Sequence, residues 1–522
     1  VLASVYPSML GRLSKRIALN IQQILLGHDA GSLPVELLMG KGLFLNLSTF
    51  GKLGLEVISW DLFTEATIVD LMKQDTAARF ISLPDLMNVA LDSNRELVAR
   101  RLEVLAGEKD FSIARSALLP YLGIDASGTL NDPVNYMPPQ SVTANANLTQ
   151  VLWSEPLWSD LKITRLQQQA REEGLVNDKL DIGNQVAQTY LSIMEQQKNF
   201  YLFINNLIIT RSNLEVAKMK KETGSAGEDE VLRWEIEAAR SKKNVISSYA
   251  SIARLAYQLV QLIHVKTLTS YDLAEFRLED SGLLVMDSTF MELLEDPIRL
   301  QKLGRFMVEE GASNSPVLRQ YDFLISAQER TWRSGAVSRY IPVATASGSY
   351  ANRLYQPSYE LPGGITSSYP GYAWSLMAKV EIPLFTGLKN NATVAKARLN
   401  LVQMKTEKQA AMEKLETAVL SNLSELMSAY YDYKQMEIAE VAATRNFEIV
   451  DNQYLLGQKS ILDVLDAQQQ NLTSAMAVNT AFYTFIKSYY DLQQSLGRFD
   501  YLMTPGEQAD FRRRLDEFMN RN

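Results

Sequence analysis

No cysteine occurs among the 522 residues, and histidine occurs only twice. Without thiols the chain forms no disulfide, holds no thiolate-bound metal and carries neither a thiol nucleophile nor a lipidated cysteine. His28 and His264 stand alone without the spacing of a metal site, so they read as ordinary surface or core residues. An excess of positive charge is missing too. The 52 Lys and Arg face 60 Asp and Glu, a formal net charge of −8, which argues against nucleic acid as a partner. No stretch approaches the roughly 18 to 20 consecutive apolar residues of a membrane-spanning helix; the richest, Phe200 to Ile209, is short and contains Asn205 and Asn206. The segment from Val1 to Asn20 lacks the charged start, apolar centre and cleavage site of a signal peptide, so a mature product or a fragment is expected. A membrane β-barrel stays open, because tilted strands of about 9 to 11 residues barely register in hydropathy. No nucleophile–base pair, metal cluster or phosphate loop supports an enzyme or a cofactor.

Glycine and proline are also absent from Asn390 to Leu456, a stretch rich in Ala, Leu, Glu, Lys, Gln and Met. Apolar residues recur there at three and four, as in Leu415, Val419, Leu423 and Leu426, the period of an amphipathic helix. At 1.5 Å per residue such a helix is a rod on the order of 100 Å long. A compact chain of this size has a radius of gyration near ~24 Å, so an elongated molecule is expected. Gly457 turns the rod back into a second helix, Ser460 to about Leu496. The first half repeats the plan with a helix from Leu161 to Glu222, a turn from Gly224 to Gly227, and a helix from Glu230 to Ile263. Shorter helices are expected over Leu83 to Leu118 and Pro316 to Trp332.

Each half also holds a β island: Pro120 to Thr129 with Ser141 to Trp153, and Tyr340 to Tyr350 with Ala373 to Phe385. Trp374, Leu376, Ala378, Val380 and Ile382 put apolar groups on one face, with Ser375, Lys379 and Glu381 on the other. That alternation suits a strand between lipid and water. The halves look duplicated: Glu230-Val231-Leu232 matches Asp463-Val464-Leu465 at an offset of 233, and Pro156-Leu157-Trp158-Ser159 matches Pro383-Leu384-Phe385-Thr386 at 227. Four strands per chain enclose nothing, since about eight are needed even to fill a barrel with side chains. An open sheet in lipid leaves edge N–H and C=O groups unpaired at several kcal/mol each. Three copies give twelve strands and an aqueous lumen. The aromatics Tyr136, Trp153, Tyr350, Tyr355, Tyr372 and Trp374 then suit an interfacial girdle; the alternative is that they cap a soluble β-subdomain.

Ala373-Trp374, then Val380-Glu381-Ile382-Pro383-Leu384-Phe385-Thr386-Gly387 and an Ala-rich helix, resembles the second-repeat signature of the TolC-type outer-membrane efflux proteins. The run from Tyr454 through Gly457, Lys459 and Ser460 to Asp463-Val464-Leu465-Asp466-Ala467 resembles that family's periplasmic-tip motif. The resemblance spans about residues 80 to 500. It implies a mainly α fold with β: a homotrimer with a twelve-stranded outer-membrane β-barrel and a long α-helical barrel across the periplasm. Such a duct exports small molecules or proteins by efflux or type I secretion and docks with a periplasmic adaptor and an inner-membrane pump. It further implies that the tip is closed, with Asp463 and Asp466 as carboxylate rings. Tyr454 and Lys459 would be latch residues answered by Asp229 and Glu230. Gly227-Glu228-Asp229-Glu230 is more acidic than that pattern.

Physics alone puts Asp463 and Asp466, three apart, on one helix face, where three copies would gather six carboxylates and favour cations. Ser460-Ile461-Leu462-Asp463 equally reads as a capping box, with Asp463 serving the helix start. The expected division is an N-terminal extension over 1–75, a first repeat over 76–264, an equatorial linker over 265–310, a second repeat over 311–500 and a tail over 501–522. In the extension, a helix from Lys15 to Gly27 and a strand from Leu43 to Leu47 weakly resemble the closing segment of an ABC-type periplasmic substrate-binding domain; a plain αβ extension is the other reading. Arg512-Arg513-Arg514 reads as a solvated face. The competing class for the whole chain is a soluble periplasmic adaptor or coiled-coil scaffold.

Overall fold

The computed structural model describes residues 3–7, 17–18, 20–21, 24–25, 27, 29–32, 41–46, 67–69, 79–130, 140–264, 271–273, 288–355, 359–361, 365–367, 370–383 and 385–520. The strands are β1 (Ala3–Pro7), β2 (Lys41–Asn46), β3 (Thr67–Val69), β4 (Arg79–Ile81), β5 (Tyr121–Leu130), β6 (Gln140–Trp153), β7 (Tyr271–Leu273), β8 (Val343–Tyr355), β9 (Tyr359–Leu361), β10 (Ile365–Ser367) and β11 (Tyr372–Glu381). The helices are α1 (Leu83–Ser93), α2 (Arg95–Ser116), α3 (Glu155–Glu222), α4 (Glu228–Ile263), α5 (Ser288–Glu295), α6 (Pro297–Asn314), α7 (Pro316–Val337), α8 (Lys389–Leu455), α9 (Ile461–Ser495) and α10 (Pro505–Asn520). Tyr136, His28, Leu47 and much of the β8–β11 loop lie outside the described residues.

The chain forms two compact units. One comprises Val1–Arg95, Leu180–Glu310 and Ala418–Asn522; the other comprises Glu96–Lys179 and Gly311–Thr417. In the first, the apolar period of α8 becomes burial: Val419, Leu423 and Leu426 are fully enclosed. The α3 and α9 helices meet along polar side chains. Gln494 donates to Asp181 at 2.6 Å, Asn184 to Asp491 at 2.7 Å, Lys487 to Glu195 at 2.8 Å, Asn479 to Asn199 at 2.8 Å and Gln468 to Asn206 at 2.7 Å. Those α3 positions are spaced by three, eleven, four and seven, all near whole helical turns, so one face of the helix carries the seam.

One sequence expectation needs correction. The helix read as continuous from Leu83 to Leu118 breaks at Asn94, whose backbone is extended. Its backbone N–H still closes α1 on the Ala90 carbonyl, while its side-chain amide donates to the Leu262 carbonyl of α4 at 2.9 Å and anchors the break there. The segment between the two expected repeats carries α5 and the start of α6, with Phe290, Leu294, Leu303 and Phe306 buried. The expected tail forms α10, docked through Phe511 against Phe306 at 5.5 Å between ring centroids. There Arg514 pairs with Glu310 and Asp510, and Arg513 with Asp510, so the arginine run spends its charge within the chain.

The second unit is built around one antiparallel sheet in the order β11-β8-β6-β5. Alternate residues of a strand face opposite ways, and directly paired residues share a face. Leu122, Ile124, Ala126, Ala144, Ala146, Leu148, Tyr350, Trp374, Leu376 and Val380 therefore share one side. Asp125, Asn145, Asn147, Thr149, Ser347, Ser349, Ser375 and Lys379 share the other.

Candidate functional site

The apolar side of the sheet is open: Ile124 is 80% exposed, Leu376 79%, Val380 68% and Trp374 67%. A contiguous face of this kind in water marks an interaction with lipid or protein. The opposite side satisfies itself with polar contacts, Asn145 and Asn147 each donating to Asp125 at 2.8 Å and Ser349 meeting Ser375 at 2.8 Å. Edge strands β5 and β11 each pair on one side only among the described residues.

The sequence-picked aromatics sort to the two ends of this sheet. Tyr350, Tyr355, Tyr372 and Trp374 lie toward the β8–β11 loop, with the Tyr350 and Tyr372 rings stacked at 6.3 Å. Trp153 lies at the end joined to the helices, where a bulge after Val151 sets it opposite Ala344 on the apolar side. Its ring is 6.4 Å from that of Trp158. Tyr340 and Phe385, 70% and 80% exposed at the same junctions, were not singled out by sequence. Their signal was available, since Tyr340 lies on a helix-to-strand connection and Phe385 on a strand-to-helix one.

The two helix reversals of the first unit form the second region of interest. Both close on a glycine in the left-handed conformation, Gly224 at φ 72° and Gly457 at φ 73°. Both show the same paired bonds, Gly224 N to Lys221 O with Ser225 N to Lys220 O, and Gly457 N to Tyr454 O with Gln458 N to Gln453 O. A side chain with Cβ is strained in that conformation, so glycine stops both helices.

Tyr454, 1% exposed, sits between the two reversals. Its hydroxyl donates to Glu230 in a very short bond and accepts from Trp234 Nε1 at 3.0 Å. Lys220, itself 7% exposed, lies 3.8 Å from the Tyr454 ring centroid and donates to the Tyr454 carbonyl at 3.0 Å. Ala217, Val231, Trp234, Phe447, Val464 and Ala467 pack the surrounding apolar cluster. Burial pushes the Tyr454 phenol up, and the adjacent Glu230 carboxylate adds to it. Burial pulls Lys220 down, while Glu230 partly restores it.

Of the expected latch residues, the structure joins Tyr454 to Glu230 within one chain. Lys459 and Asp229 are exposed on the turns and do not join them. Lys220 and Trp234, the other half of the Tyr454 cage, were missed. Trp234 was legible as the residue three after Val231 on the buried face, but a buried lysine leaves no sequence signal. Asp463 closes a capping box with Ser460: the Ser460 N–H donates to it at 3.0 Å and the Ser460 hydroxyl at 2.8 Å. Those two bonds, the hydroxyl first, hold its carboxyl below the usual range, with Lys459 nearby adding to the effect. Asp466 is exposed and accepts from Gln470 at 2.8 Å.

A sheet with one lipid-suited and one polar face, whose strands β6 and β11 lead in sequence into helices of 68 and 67 residues, defines a class of membrane-inserted β proteins with long helices. The chain belongs to the outer membrane efflux protein family, whose model matches residues 86–263 and 314–498. It is thus an outer-membrane efflux channel protein, reaching from that membrane into the periplasm. Outer membrane protein TolC of Vibrio cholerae is 21% identical over 440 residues, covering 80% of this chain and 90% of that protein. Outer membrane efflux protein BepC of Brucella suis is 21% identical over 415 residues, covering 78% and 84%. Among solved structures, the outer membrane protein VceC of Vibrio cholerae shares the fold at a TM-score of 0.65 and 16% identity, over 80% of this chain and 96% of that one.

Proposed function

We propose that three copies of this chain close their sheets edge to edge into a twelve-stranded barrel and form a passive exit duct. A periplasmic adaptor and an inner-membrane pump would complete the export machine, and small molecules or proteins would pass through it. The observation that carries this reading is the sheet with two faces and two edges that have no partner among the described residues. In lipid each unpaired backbone group costs several kcal/mol, and identical neighbours are the cheapest source of partners. A soluble adaptor, the competing class, would have to bury Ile124, Leu376 and Val380 within its own chain, yet all three are open.

The paired turns act in this reading as the closed periplasmic end. The Tyr454–Glu230 contact ties the α8–α9 reversal to the α3–α4 reversal, and opening requires Tyr454 to leave its cage. Lys459 and Asp229, exposed on the turns, suit contacts with a neighbouring copy. Asp466 lines the constriction, and Asp463 adds charge while it caps α9. The test is the mass of the detergent-solubilised oligomer together with a conductance trace in planar bilayers. Three copies and discrete channel steps are expected; a monomer that stays in aqueous buffer and ignores lipid overturns the reading. Asp463→Asn with Asp466→Asn should weaken both cation preference and block by multivalent cations, and unchanged selectivity removes the ring while leaving the duct.

A further inference from the structure

The polar face of the sheet holds few charges, and they are unequally compensated. Among the described residues on that face, Lys379 and Glu381 pair with each other along β11. Arg353, at the loop end, donates to the Pro370 carbonyl at 2.7 Å. Asp125, midway along β5, has no ion pair with a Lys or Arg among the described residues of the chain. Its two oxygens are taken one each by the amides of Asn145 and Asn147 on the neighbouring strand, both at 2.8 Å. These amides fix the position of the carboxylate without cancelling its charge, because an amide is a neutral donor.

We propose that Asp125 is a specificity-determining residue of the barrel, forming in the assembled channel a ring of three carboxylates that favours cationic over anionic solutes. The inference rests on the trimeric duct reading and adds to it a second selective level, in the membrane portion of the chain. A buttressed carboxylate acts differently from a mobile one. Held by two donors, it is kept at one level of the strand, so its field stays in one layer of the lumen. The layer is wide, and salt screens across it: the Debye length is about 10 Å at 0.1 M and about 30 Å at 0.01 M. The preference is therefore strongest in dilute electrolyte and fades toward 1 M, where that length is about 3 Å.

The experiment measures reversal potentials of the full chain in planar bilayers under a KCl gradient at low ionic strength. The background carries Asp463→Asn and Asp466→Asn so that the turn carboxylates do not mask the barrel. Adding Asp125→Asn should lower the potassium-over-chloride permeability ratio about twofold or more at low salt and leave it unchanged near 1 M. Ser349 lies opposite Asn147 on the same polar face; Ser349→Asp in the Asp125→Asn chain should restore the ratio. An unchanged ratio after Asp125→Asn overturns the proposal, as does failure of Ser349→Asp to restore it in channels of normal conductance. If the parent chain gives no channels at all, the duct reading falls first and takes this inference with it.

Discussion

The two helix reversals have the same length and the same glycine-closed geometry, yet they treat their first-turn carboxylates in opposite ways. In the second reversal Ser460 caps α9, and Asp463 is turned back onto it by two hydrogen bonds. In the first, the equivalent N-cap is Gly227, which has no side chain to cap α4. Glu230, which stands where Asp463 stands, is left free of its own helix and reaches Tyr454 instead. The two turns thus differ in the cap residue, Gly227 against Ser460, and in the carboxylate, Glu230 against Asp463, and with these differences goes the change from a capping contact to a cross-link between helical hairpins. The acidic run Glu228-Asp229-Glu230 also suits the positive end of α4.

The largest expected effect comes from emptying the Tyr454 cage. Trp234, wholly buried, supplies both a ring and the N–H that Tyr454 accepts; Trp234→Ala should cost about 3–5 kcal/mol. Thermal unfolding measures that loss, and a higher resting conductance should accompany it. No change in either would mean that the two reversals are held elsewhere.

Alkaline titration sharpens the comparison next. The Tyr454 phenol is raised in the folded chain, so its contribution to stability is complete below the unfolded value near ~10 and is lost as pH climbs through the folded one. The tyrosinate difference spectrum between the parent and Tyr454→Phe should be nearly flat at about pH 10.5 and grow only above it. A full single-tyrosine signal at the lower pH would show an unburied phenol.

Exchanging the caps breaks the comparison directly. Ser460→Ala should cost about 1 kcal/mol and release Asp463. Gly227→Ser should do the reverse: a new Cβ would meet chiefly the movable Asp229 carboxylate. The added hydroxyl should stabilise the start of α4 by a few tenths of a kcal/mol while competing for Glu230. Conductance that rises in Gly227→Ser despite this gain would identify the missing cap as what frees the latch. The smallest effect is expected for Lys459→Ala. This exposed side chain should change chain stability by less than about 0.5 kcal/mol, so a clear rise in conductance there would report a bond to a neighbouring copy.

Legibility differed between the regions for a physical reason. The sheet and the long helices rest on periodicity: Trp374 to Val380 alternates by two and Leu415 to Leu426 by three and four, and both patterns appear as exposed or buried faces. The Ser460–Asp463 box was also readable, because a capping motif is local. Tyr454 with Glu230 was reached only as a possibility among four residues, since the partners lie 224 positions apart.

The sequence by itself determined where helices run and stop, which strand faces are apolar, and that one chain has too few strands to close a barrel, because these follow from spacing along the backbone. Tertiary structure decided the rest. Lys220 is buried only because α8 lays the Tyr454 carbonyl and ring against it. At the break after α1, the Asn94 side-chain amide bonds the α4 carbonyl of Leu262, 168 positions away. Burial and pairing between distant segments depend on what folding brings near, and no local pattern records them.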